Sequence, residues 1–145
     1  MECRVPVLAL AMSVFSPLMQ ANSPVTIKVE VPSDAQAAEH LFLHVEGLQL
    51  PHDSSGVVRI YANLPEADTT TSTNTDHFLG YITLMTRTSR EAPVKRNISL
   101  DISRKSRELA GQHEVSITLV PLVRSAATAQ SEKPTFRRIY LSPEP

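Results

Sequence analysis

The chain has 145 residues, room for one domain, and 14 Lys and Arg balance 15 Asp and Glu to a formal net charge of −1. That balance excludes a strong electrostatic claim on nucleic acid or an anionic membrane surface. The single cysteine, Cys3, excludes an intrachain disulfide and a cysteine-built metal site.

Residues 5–18 are apolar throughout and follow Arg4, with Ala21 as a possible cleavage point. Length and order fit a secretory signal peptide over residues 1–21 and export to a periplasm or the extracellular space. Met19 is larger than the residue usual before a cut, and a linker remnant is the other reading. The run is too short for a membrane-spanning helix, so no stable membrane insertion is expected. Residues 22–145 then form a single domain.

Aromatic content is 5% with no Trp, so the core of this domain must be mostly aliphatic. Residues 25–31 alternate Val25, Ile27, Val29 and Val31 with Thr26, Lys28 and Glu30, the period of a half-buried strand. Pro32 ends it, and residues 34–39 can make one helical turn capped by Ser33 or Asp34. Residues 41–50 alternate again, with Leu41, Leu43 and Val45 on one face and Phe42, His44 and Glu46 on the other. Something apolar on both faces predicts a strand covered on both sides. Residues 51–56 read as a turn.

Residues 57–63 predict a strand broken by the polar Arg59. Residues 66–76 form a Thr, Ser, Asn and Asp run with no apolar period, hence a loop. Residues 78–84 predict the next strand, in which Gly80 marks a bulge or a close backbone approach. Residues 86–93 are polar and turn-rich. Residues 95–101 predict a strand with Ile98 and Leu100 inward. A short helix over 104–110 follows, capped by Asp101 or Ser103 and closed by Gly111. Residues 114–122 form the clearest strand, 125–134 a polar linker and 135–141 a last strand. About seven short strands and one or two helical turns, without strand–helix alternation, predict an all-β, antiparallel β-sandwich.

Four stretches in this order are similar to the C-terminal, KFDV-type domain of the polyphenol oxidase and tyrosinase family. Residues 59–65 (RIYANLP) resemble the motif's strand ending at Asn. Residues 77–82 (HFLGYI) resemble its Phe-Ala-Gly-Ser-Phe strand. Residues 95–102, with the helical turn after them, form the third stretch. Residues 115–121 resemble a Val-Thr-Leu-Val-Pro signature, with 135–141 in place of the final strand. The resemblance spans residues 25–141. It implies a β-sandwich that packs on a helical dicopper oxidase domain, covers its entrance and inserts one side chain there.

In that family the copper pair needs six His, and this chain has five, His40, His44, His52, His77 and His113. The resemblance therefore implies no catalytic residue and no cofactor of its own. Copper would enter only through a partner, a separately encoded dicopper phenol oxidase. A fragment of a split tyrosinase gene and a generic exported β-sandwich binding module stay open.

The residues placed for partner contact are Glu66, Asp68, Asp76, His77, Phe78 and Tyr81, in and beside the polar loop. Against this, Phe78 and Tyr81 read more simply as strand core, and the Thr run as a solvated loop. His40 and His44 share a strand face, but two His without a third ligand make a poor metal site. A solvated or hydrogen-bonded His is the plainer reading. No GxSxG, HExxH, phosphate-cradling Gly loop or CxxC is present, and no Ser has an activating sequence context. Asn97-Ile98-Ser99 has the pattern of a glycosylation sequon within a predicted strand. The basic residues between Arg87 and Arg107 read as a solvated face.

Overall fold

Alternation of apolar and polar residues sets the architecture. A computed structural model describes residues 24–49, 54–85, 95–125 and 135–144. The predicted signal peptide, the segments 86–94 and 126–134, and His52 lie outside the described residues.

Seven strands run β1 (Val25–Glu30), β2 (Phe42–Leu48), β3 (Ser54–Ala62), β4 (Phe78–Met85), β5 (Arg96–Asp101), β6 (Glu114–Ser125) and β7 (Arg138–Ser142). They build two antiparallel sheets, one ordered β1-β6-β3-β4 and the other β5-β2-β7. The predicted antiparallel β-sandwich is the observed fold. Only β3 and β4 are successive strands of one sheet; every other connection carries the chain across to the opposite layer.

Inward-facing residues of both sheets form one aliphatic core. Val29, Val58, Ile60, Ala62, Ile82, Val115, Ile117 and Leu119 come from the larger sheet, and Leu43, Val45, Ile139 and Leu141 from the smaller. Ile98 and Leu100 pack against them, as their predicted inward direction requires. Leu41, Ile102, Leu109 and Ala35 close one end.

Three local features differ from expectation. β3 begins at Ser54, inside the predicted turn, because backbone pairing of Ser54 and Ser55 with Ser125 and Arg124 extends the ladder past the apolar pattern. β6 runs past its predicted end at Leu122 to Ser125, and Pro121 inside it pairs with Val58. A missing N–H is tolerated there because β1 begins only at Val25, opposite Leu119, and does not reach Pro121. The predicted helix is a 3₁₀ turn (Ser103–Lys105) running into one α-helical turn, α1 (Ser106–Leu109). Asp101 Oδ1 accepts from the Ser103 N–H at 2.9 Å, but the N-cap positions are Ile102 and Lys105 and neither turn has a side-chain cap, so the expected capping by Asp101 or Ser103 is not found. Gly111 follows the helix without a positive φ, so it does not close it in the left-handed way expected.

The two bulges are built around glycines. Pairing of β3 with β4 slips between Ile60 and Tyr61, and Gly80 sits at the slip. A side chain there would begin 3.0 Å from Leu100 Cδ2 of the other sheet, the close approach expected at that position. Pairing of β2 with β5 slips between Val45 and Leu48, where Gly47 has φ +67°. The Gly47 N–H donates to Asn97 Oδ1 at 2.9 Å.

Candidate functional site: the outer face of the four-stranded sheet

In β3, Val58, Ile60 and Ala62 face the core, so alternation turns Val57, Arg59 and Tyr61 outward. Cross-strand register places Tyr81 and Val120 beside Arg59, and Phe78 and Thr118 beside Tyr61. The outer face is therefore apolar around one guanidinium.

The long loop between β3 and β4 folds back over half of this face. Asn63 starts it in the left-handed region, with φ +54°. Its N–H donates to the Ser116 carbonyl at 2.8 Å and its Nδ2 to Gln112 Oε1 at 3.0 Å. The Leu64 carbonyl accepts from Thr118 Oγ1 at 3.1 Å. Ala67 is buried in a second small core with Tyr61 and Val120, against which Leu64 and Phe78 pack. At the far side, the Thr71 carbonyl accepts from Tyr61 Oη at 3.0 Å and from Arg59 Nη1 at 3.4 Å. The run that reads as a solvated loop is thus pinned to the sheet at both ends and in the middle.

Asp68 organises the turn between these anchors. Its Oδ1 accepts from the Thr70 N–H at 2.8 Å, from Thr70 Oγ1 at 2.6 Å and from Thr71 Oγ1 at 3.3 Å. These bonds, the Thr70 hydroxyl's first, hold its carboxyl below the ordinary carboxylate range. His77 closes the neck of the loop: its Nδ1–H donates to the Ala62 carbonyl at 2.9 Å, while the Ala62 N–H donates to the His77 carbonyl at 2.8 Å.

The six contact candidates therefore divide. Glu66, Asp68 and Asp76 are exposed along the loop, and His77 is half-buried at its neck. Phe78 is half-buried, its ring 5.5 Å from that of Tyr61, as a strand residue packed under the loop. Tyr81 departs from the core reading. It is 63% exposed, the one exposed large hydrophobic side chain among the described residues, because it falls on the outer face beyond the reach of the loop. Val57, Arg59, Thr73, Phe78 and Tyr81 line an open groove of about 320 Å³ there. Sequence reading passed over Arg59 and Tyr61 as site residues. Alternation with the core residues Ile60 and Ala62 was the signal that could have found them.

His44 lies on β2 of the smaller sheet and His40 just before that strand, both apart from this face. The Phe42 ring lies 6.2 Å from that of His40 and 6.4 Å from that of His44. His44 is buried, stacked 4.7 Å from the Tyr140 ring, and both its nitrogens are engaged. Nε2 meets the Glu144 carbonyl at 3.0 Å, which can only accept, so Nε2 carries the proton. Nδ1 meets Ser99 Oγ at 2.8 Å. Tyr140 Oη donates to Glu46 Oε1 at 3.0 Å, a bond that raises its phenol above the ordinary value. Arg138 lies 4.4 Å over the Tyr140 ring. This is a closed hydrogen-bonded network. Among the described residues no group of three or more His, Cys, Asp or Glu is placed to hold a metal ion. No helix among them is long and apolar enough to cross a membrane.

No protein-family model and no curated protein matches the chain. Solved structures do. The chain is similar to a latent aurone synthase (polyphenol oxidase) from its natural source, with a TM-score of 0.59 and 13% identity over 86% of this chain and 25% of that one. It is also similar to the latent apple tyrosinase, with a TM-score of 0.56 and 17% identity over 82% of this chain and 25% of that one. The fold is thus shared with a quarter of each latent polyphenol oxidase, the family that the sequence motifs resemble. The chain spans about a quarter of the length of these structures.

Proposed function

We propose that this chain is a non-catalytic accessory or shielding module, related to the C-terminal domain of the polyphenol oxidases, that docks on a separately encoded dicopper phenol oxidase. The observation that carries this reading is the fold shared with part of latent polyphenol oxidases over more than four-fifths of the chain. The docking element is residues 66–81. The loop is exposed along Glu66, Asp68 and Asp76, yet anchored on a rigid sheet, the arrangement in which loops most often carry contacts. Catalysis, copper binding and the phenol belong to the partner. Export and removal of residues 1–21 complete the proposal.

The test is a pull-down of the full chain, carrying a C-terminal tag, from an extract of its native cell, with phenol-oxidase activity and copper assayed in the eluate. Activity that comes down with the chain and falls when residues 69–74 are shortened supports the docking role. A folded chain that brings down neither activity nor copper overturns it. A second reading, a piece of a split oxidase, is favoured by the one-quarter coverage of the matching structures. An oxidase reading frame immediately upstream would decide for it.

A further inference from the structure

We propose that the groove beside the loop takes a partner segment that presents a single carboxylate to Arg59 together with an adjacent apolar side chain. This rests on the docking reading and names the chemistry it requires of the partner. Three of the five lining residues, Val57, Phe78 and Tyr81, give the groove apolar walls, and Thr73 adds one hydroxyl. Arg59 stands between them, directly opposite Tyr81 on the neighbouring strand.

The argument for the occupant is charge complementarity. Arg59 is half-buried, and among the described residues no carboxylate lies within 4.0 Å of it; the ion pairs there join Lys28 to Glu114 and Lys105 to Glu108. Among the described residues its one bond is the long contact from Nη1 to the Thr71 carbonyl, which leaves most of its five N–H donors without an acceptor there. A guanidinium flanked by apolar side chains binds a carboxylate through two parallel bonds more strongly than it would in open water. Arg and Tyr are also the side chains that dominate binding energy where they meet at an interface. A phosphate-rich polymer fits poorly, because it would need a row of cations and the groove offers one. A volume of about 320 Å³ suits one large side chain and the acid beside it.

The experiment titrates the isotope-labelled full chain with two blocked tripeptides, acetyl-Leu-Glu-Leu-amide and acetyl-Leu-Gln-Leu-amide, and follows backbone amide and Arg59 Nε–H signals. The glutamate peptide is expected to shift the signals of residues 57, 59, 73, 78 and 81 saturably, and the glutamine peptide to bind at least about fivefold more weakly. Arg59→Gln is expected to abolish the difference between the peptides. Tyr81→Thr, a change on an exposed strand position that keeps the Arg59 contacts, is expected to weaken both alike. Equal binding of the two peptides, or shifts confined to other surfaces, overturns the proposal. Shifts of the same residues on raising protein concentration without peptide would give the groove to a second copy and overturn it too. Docking and groove fail separately: an oxidase recovered equally well by the wild-type chain and by Arg59→Gln keeps the docking role and removes this groove from it.

Discussion

Tyr61 is wholly buried although it points away from the main core, because the loop lies across it and takes its hydroxyl hydrogen bond at the Thr71 carbonyl. Tyr61→Phe keeps the ring and removes that bond, and it should lower unfolding free energy by about 0.5–1.5 kcal/mol in denaturant titration. Leaving the Thr71 carbonyl with the longer Arg59 contact alone should also speed amide exchange in residues 68–72. Asp68 sets a pH dependence for the same turn. Its carboxyl is held below the ordinary aspartate value of 3.8. A depressed carboxyl contributes stability above its unfolded pKa, and that contribution is lost as pH falls below 3.8 through the folded value. Amide signals of Thr70 and Thr71 should therefore stay unchanged from neutrality down to that value and move only below it. The same movement at a higher pH, or in Asp68→Asn, would contradict the assignment.

At the scale of elements, the bulge in β2 is held by a residue with no alternative. Gly47 has φ +67°, and a methyl group there would begin 2.9 Å from Arg137 Cβ, which the backbone fixes. Gly47→Ala should cost about 1–2 kcal/mol from the backbone conformation alone, more with the clash, measured by thermal or denaturant unfolding. Asn97→Ala, which removes the acceptor of the Gly47 N–H, should cost about 1 kcal/mol by the same measurement. Strands with one buried face were legible because burial writes period two into them, as in Val25–Glu30 and Arg96–Asp101. The bulge at Gly80 was legible for a related reason, a glycine inside an apolar run. The two-sided cover of β2 was legible in part: its outer side is an aromatic and hydrogen-bonded layer of Phe42, His44 and Tyr140. The candidate site was less legible, since its anchors are carbonyl groups, at Leu64 and Thr71, that every residue type possesses. A polar loop held down by its backbone has the same composition as one held by nothing.

For the whole molecule, the aliphatic core carries stability that the low aromatic content leaves to no other group. Leu43 is fully buried between the sheets, and Leu43→Ala should cost about 2–5 kcal/mol in equilibrium unfolding, at the high end if the cavity does not collapse. The loss should appear equally in probes placed on either sheet, since both line the same core. The crossing of the chain between layers at every connection but one has a further consequence for how the protein is made. Val25 pairs with Leu119, and Phe42 with Ser142, so the first two strands leave the ribosome long before their neighbours exist. Such distant pairings place folding in the millisecond-to-second regime typical of sandwiches. Until β5 is synthesised, the β3–β4 hairpin is the only pairing that the described strands can form. A nascent chain stalled anywhere before residue 138 therefore leaves β2 without the strand that flanks it on one side, an exposed edge that only a chaperone or another chain can cover.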